Sequence, residues 1–162
     1  RLRREPNNPD VALRGGQGPA VGETADRGVF RTTDGGETLE KVMYINEKTG
    51  IGDMVVDPSN PNHVLAAMWE FRRWPWFFES GGEGSGLHES WDGGQTWSEL
   101  TDEDGLPKGE LGRMGLAFAH NEPDIVYALI AATKNALYRP ADGGRNWNMI
   151  HDDAGLHSRP LS

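Results

Sequence analysis

Three times in 162 residues the chain places Asp-Gly-Gly between short runs of strand-forming residues. The stretches read TTDGGETL from Thr32, SWDGGQTW from Ser90 and PADGGRNW from Pro140, so Asp34, Asp92 and Asp142 fall 58 and then 50 residues apart. No other feature constrains the fold as strongly. Glycine takes a positive φ without steric cost, and an Asp carboxylate accepts backbone N–H bonds inside a turn, so each triplet predicts a tight hairpin. A turn that returns at such intervals marks a chain built from repeated units.

A second theme lies between the hairpins. The stretches DMVVDPSNPNHVLAAMW (from Asp53) and GLAFAHNEPDIVYALIA (from Gly115) align at an offset of 62, setting Pro61 on Pro123, Val64 on Val126 and Ala66 on Ala128; NNPDVAL from Asn7 is a weaker echo. Each unit therefore reads strand, Pro-Asn/Asp turn, strand, connection, strand, Asp-Gly-Gly turn, strand. Twenty-two Gly and 10 Pro with only 36% apolar residues fit many turns and short strands, hence an all-β chain. Four short strands per unit is the make-up of a β-propeller blade. The expected organisation is about two and a half four-stranded antiparallel blades of a larger propeller. It divides into a partial blade at 1–46, a full blade at 47–104 with a long loop at 70–86, a full blade at 105–152, and the start of another blade or a tail at 153–162. Expected strands are 10–14, 27–33 and 38–44; 50–57, 62–70, 86–91 and 96–100; and 112–119, 124–131, 135–140 and 146–151. Trp97 and Trp147 open the last strands, where their bulk suits burial with the indole N–H partnered. A WD40 reading of Trp91-Asp92 fails, because it needs a period of roughly 40–45 residues.

The segments from Thr32 to Leu39 and from Ser90 to Trp97 resemble the Asp-box, S/T-x-D-x-G-x-T-W/F, of the BNR/Asp-box propellers: sialidases, xyloglucan hydrolases and sortilin-type ectodomains. Leu39 departs from the usual aromatic, and the third copy has Pro140 and Asn146 where the motif has hydroxyl residues. The run RGVFRTTDGG with TGIGDMVVDPSNPN looks particularly like bacterial sortilin-like proteins, often labelled glycosyl hydrolases. That resemblance implies structural roles for Asp34, Gly36, Thr38, Asp92, Gly94, Thr96, Trp97, Asp142, Gly144 and Trp147, on the face opposite the ligand. It also implies a secreted or periplasmic location.

In such a fold the ligand face is made by the loops joining strand four to the next strand one, and strand two to strand three. Here these are INEKTGIG (from Ile45), TDEDGLPKGELGR (from Thr101) and the long EFRRWPWFFESGGEGSG (from Glu70), whose counterpart around Ala132 to Asn135 is short. Function is commonly grafted onto such an asymmetric loop. Arg72, Arg73, Trp74, Trp76 and Arg113 are the candidate ligand-binding residues, since aromatic faces stack on sugars or peptides and Arg clamps carboxylates. The competing reading makes WPWFF a plug packed over the blade. Asp53 and Glu70 are the candidate catalytic carboxylates for glycosidase chemistry. Two classes stay open: a binding propeller for a protein or glycan, and a glycoside hydrolase of sialidase-like or xyloglucan-hydrolase-like type.

A formal net charge of −9 disfavours nucleic acid and anionic membranes as partners, and RLRR at Arg1 to Arg4 reads as a solvated terminus. Cysteine is absent, which removes disulfides and thiolate sites. The five His have no metal-ligand spacing, and no cofactor or metal is expected. The longest apolar run, IVYALIAA, is far short of the roughly 20 residues that span a bilayer. The expected partners are a protein or glycan at the loop face and the rest of the propeller.

Overall fold

Short β-branched and aromatic runs, each stopped by Gly, Pro, Asn or Asp, fold into thirteen strands in the computed structural model, which describes residues 1–5, 8–119, 121–122, 125–142, 145–152 and 155. The first sheet orders β1 (Leu2–Arg4), β2 (Ala12–Gly16), β3 (Gly28–Thr32) and β4 (Glu40–Met43). The second contains β5 (Thr49–Val56), β6 (Val64–Arg73), β8 (Gly86–Ser90) and β9 (Ser98–Leu100), with β7 (Phe78–Ser80) paired to the far end of β6. The third contains β10 (Met114–Phe118), β11 (Val126–Ile130), β12 (Ala136–Asp142) and β13 (Arg145–His151). All pairings are antiparallel. The expected all-β chain of four-stranded propeller blades is what forms. No helix among the described residues is long and apolar enough to cross a membrane.

RLRR is largely exposed, as expected, but it is also a paired strand. Leu2, Arg3 and Arg4 pair with Arg14, Leu13 and Ala12, giving the first sheet its fourth strand. The reason is backbone pairing plus a reach to the neighbouring sheet, where Arg3 Nε donates to the Met54 carbonyl at 2.9 Å. Arginine carries no apolar alternation, so the strand has no pattern to betray it.

The repeat is closed by hydrogen bonds at equivalent positions. In the first-to-second-strand turns, the N–H groups of Glu5, Asp57 and Ala119 donate to the carbonyls of Val11, His63 and Ile125 (3.0, 3.0 and 2.7 Å). The N–H groups of those three residues then donate to Asn8, Asn60 and Glu122. The echo beginning at Asn7 is thus a third copy of the turn. Gly35 and Gly93 donate to the carbonyls of Asp10 and Asn62, tying the first two Asp-Gly-Gly hairpins to these turns at one end of their sheets.

Inside the hairpins the side-chain chemistry repeats. Thr32 Oγ1 donates to Asp34 Oδ1 and accepts from Gly36 N; Ser90 Oγ does the same with Asp92 and Gly94. Thr38 and Thr96 each donate an N–H and a hydroxyl to the same Asp carboxylate. The Thr38 hydroxyl and N–H hold Asp34 well below the usual carboxylate range. Burial pushes Asp92 up, but the Thr96 hydroxyl and N–H and the Ser90 hydroxyl outweigh it and lower the carboxyl to about 2. Trp97 Nε1 donates to the Gly94 carbonyl at 3.1 Å, whereas the buried indole N–H of Trp147 has no partner among the described residues. Gly144 lies outside the described residues, as does the Asp142 side chain.

Period-two alternation on β6 builds both cores. Val64, Ala66 and Met68, with Ile51 and Met54 of β5, pack on Leu13 and Val29 of the first sheet, while Leu65 and Ala67 face Leu116, Val126, Ile130 and Trp147 of the third. Gly15 permits this approach, because a Cβ there would lie 2.4 Å from Ile51 Cγ2.

At the hairpin end of the second sheet, His63 occupies the position held by Val11 and Ile125 in the other units. It is 2% exposed. Its Nδ1 lies 3.2 Å from Asp57 Oδ2 and its Nε2 3.0 Å from Glu89 Oε1, and its ring stacks on Trp91 at 3.9 Å. Burial opposes the charged ring, but the hydrogen bonds and charges of Glu89 and Asp57 prevail and raise the pKa above its ordinary value.

Candidate functional site

The end of the sheets opposite the Asp-Gly-Gly hairpins carries a depression of about 1190 Å³, open to solvent. The loop from Tyr44 to Lys48 forms one side and the β6–β7 hairpin the other, with Glu23 and Glu110 completing the rim. The long connection after β6 is therefore a regular hairpin, with Arg72 opposite Glu79 and Trp74 N–H bonded to the Phe77 carbonyl. Alternation along β6 sends Arg72 and Arg73 to opposite faces, so they form no clamp.

The aromatics divide between the two readings weighed from the sequence. Phe78 tucks edge-on against Trp69 at 5.8 Å and helps to plug the sheet. Trp74 is half-buried: the Arg72 guanidinium lies 3.8 Å from its ring centroid, Phe77 stacks at 5.8 Å, and its Nε1 donates to Glu79. Trp76, 89% exposed, stands in solvent beside Phe77 at the tip. Arg72 is already committed to the wall through Glu23 Oε1 at 3.2 Å. Arg73 is exposed and sits 6.0 Å from the Phe78 ring.

The depression is acidic. Glu23, Glu47, Glu70, Glu79, Glu83 and Glu110 line it against Lys48 and Arg72. Glu70 is built into the loop: its carboxylate accepts Gly84 N–H at 2.9 Å and its own N–H donates to Ser85 Oγ. A Cβ on Gly82 would fall 2.6 Å from that carboxyl carbon, so the glycine return is shaped around Glu70.

Asp53 belongs elsewhere. It lines a second depression of about 340 Å³ with Arg1, Arg113 and Asn135. Its carboxylate accepts the N–H of Met54 and, across to the third sheet, of Leu116 at 3.1 Å, and it pairs with Arg1 at 3.2 Å. This is a junction between sheets. Asp53 pairs with Ala67 and Glu70 lies three residues further along β6, about 10 Å at strand rise. The two carboxylates line different depressions. Arg113 is exposed, 5.3 Å from the Trp69 ring, apart from Trp74 and Trp76.

Arg27 escaped the sequence reading, although it is 1% exposed behind the depression wall. Its Nη1 donates to Lys48 O at 2.9 Å, its Nη2 donates to Pro19 O and Gly22 O, and its guanidinium sits 4.6 Å from the Phe71 ring. Burial lowers its pKa, with Glu23 acting in the opposite direction. An Arg ahead of a Gly-Val-Phe strand gives no local hint that three carbonyls converge on it.

No family profile and no curated protein sequence matches the chain. Solved structures do. An ancestral GH74 enzyme superposes with TM-score 0.62 at 18% identity, covering 96% of this chain and 19% of that one. The GH74 enzyme of Niastella koreensis gives 0.60 at 18% identity, covering 93% and 21%. YCF48 bound to D1 peptide gives 0.50 at 17% identity, covering 92% and 43%. The chain thus spans about a fifth of the GH74 structures and under half of YCF48. At such identities the likeness concerns fold: three consecutive sheets of a β-propeller.

Proposed function

We propose that this chain is part of an Asp-box, sortilin-like binding propeller acting outside the cytoplasm, and that the depression between the Tyr44–Lys48 loop and the β6–β7 hairpin receives a protein or glycan ligand. The observation that carries the reading is the hairpin. It holds Trp74 against Arg72 at the depression wall and leaves Trp76 89% exposed at the tip. Large exposed aromatics on a rigid, paired element suit a contact surface, since burying them against a partner returns their apolar area. A neighbour of this fold bound to D1 peptide supports a protein ligand. Glu70 and Asp53 line different depressions, which weighs against a glycosidase pair drawn from those two, since the carboxyl groups of such a pair flank one bond.

The test is retention of the protein on a peptide array and a glycan array. Trp74→Ala and Trp76→Ala should each weaken retention about tenfold, the loss typical of truncating an aromatic contact. Retention that ignores both changes would sink the reading. A glycoside hydrolase is the second reading, favoured by the six glutamates gathered in one depression. It requires sugar release from an array glycan that falls with Glu79→Gln or Glu110→Gln.

A further inference from the structure

The residue just ahead of the third strand is buried and polar in every unit: Arg27, Ser85 and Asn135. Each bonds back to the connection that precedes it or to the strand from which that connection leaves. Ser85 Oγ accepts Glu70 N–H at 2.9 Å, Asn135 Oδ1 accepts Ala132 N–H at 3.3 Å, and Arg27 donates to Pro19 O and Gly22 O at 2.8 and 3.1 Å. The repeat therefore reserves this position for fastening the second-to-third-strand loop.

The arginine is long enough to leave its own unit. Its second arm takes Lys48 O in the inter-sheet loop, and its planar head lies over Phe71 at the root of the aromatic hairpin. Around it run two backbone bonds between units, Thr24 N–H to Glu47 O (3.1 Å) and Arg73 N–H to Ala20 O (2.9 Å), and one that extends the β5–β6 ladder, Phe71 N–H to Lys48 O (3.4 Å). Gly18, at φ +72°, leaves room for the side chain, since a Cβ there would lie 2.8 Å from Arg27 Cγ.

We infer that Arg27 is a positioning residue: it locks the Pro19–Gly22 loop, the Lys48 loop and the β6–β7 hairpin into one wall, and thereby sets the shape of the depression. A guanidinium suits the task because its forked donors are planar and pre-organised, where an ammonium offers a compact point charge. The wall's use in binding rests on the function proposed above; its mechanical origin does not.

Hydrogen exchange of the protein tests it without any ligand. Arg27→Ser, which installs the second unit's residue, should speed exchange at the Thr24, Phe71 and Arg73 amides about tenfold or more, leaving Gly93 and Thr96 at the opposite end unchanged. Arg27→Lys should fail to restore protection, and Gly18→Ala, which crowds the side chain without removing it, should loosen the same amides. Unchanged protection at the three amides, or a loss shared equally with Gly93 and Thr96, overturns the inference. The two proposals fail separately. Lost protection with undiminished array retention keeps the tether and sinks the binding role of this wall.

Discussion

Replacing His63 with isoleucine, the residue at the equivalent position of the third unit, should cost the protein about 3–5 kcal/mol, the usual penalty for removing one partner of a buried ionic group. The loss concentrates on Glu89. Asp57 keeps the Ser59 N–H, Ser59 hydroxyl and Asn60 N–H on its Oδ1, whereas Glu89, 7% exposed, loses the His63 Nε2 contact. Urea unfolding of wild type, His63→Ile and His63→Ile/Glu89→Leu measures it, and the double variant should recover most of the loss because no buried carboxylate is left stranded. The pH dependence follows from two opposite shifts. The folded pKa of His63 is raised above 6.5, so its contribution is full below that value and is lost as pH climbs through the folded pKa. The folded pKa of Asp57 is lowered from 3.8: burial pushes up, but Ser59, His63 and Asn60 bonds win. Its contribution is present above that value and is lost as pH falls through the folded pKa. The gap between wild type and His63→Ile should therefore be widest between these limits and narrow as pH rises through the folded pKa of His63. A single variant within about 0.5 kcal/mol of wild type near pH 6, or a gap that does not change with alkali, would refute the buried imidazolium.

Asp92→Ala should lower stability by about 1–2 kcal/mol through lost turn bonds, as read by thermal unfolding. Because the folded pKa of Asp92 is depressed to about 2, that contribution holds above 3.8 and should vanish only as acid approaches the folded value. Gly84→Ala puts a Cβ 2.0 Å from Thr49 Oγ1, so the return of the hairpin must shift; a cost of about 1–3 kcal/mol and faster exchange at the Gly84 amide are expected. Arg3→Pro should fray β1 and lower the unfolding midpoint, because proline cannot donate to the ladder with Leu13; an unchanged midpoint would mean that β1 adds nothing to the first sheet.

What the sequence disclosed was whatever local chemistry encodes. An Asp followed by two glycines closes its own hairpin, and Thr38 and Thr96, four residues on, bond back to the same carboxylate, so both hairpins were legible within eight residues. The offset of 62 between Val64 and Val126 marked two strands that do begin at equivalent points, each with its valine buried. β1 was illegible because arginines paired through their backbones leave no hydropathy signal. For the candidate site, the sequence pointed to the stretch that became the β6–β7 hairpin, with Trp74 and Trp76 in it, but not to which aromatics turn inward.

The sequence by itself determined the repeat, the turn chemistry and the all-β class, because all three act over a few neighbouring residues. Only the tertiary structure decided that Asp53 bonds Leu116 N–H, 63 residues away in the next sheet, and that Glu70 holds a glycine loop. It alone decided that His63 lies between Asp57 and Glu89, and that Arg27 gathers carbonyls from two connections. Each of these groups is satisfied by an atom distant along the chain, and a buried polar side chain takes its role from whichever partners the packed sheets bring within about 3 Å.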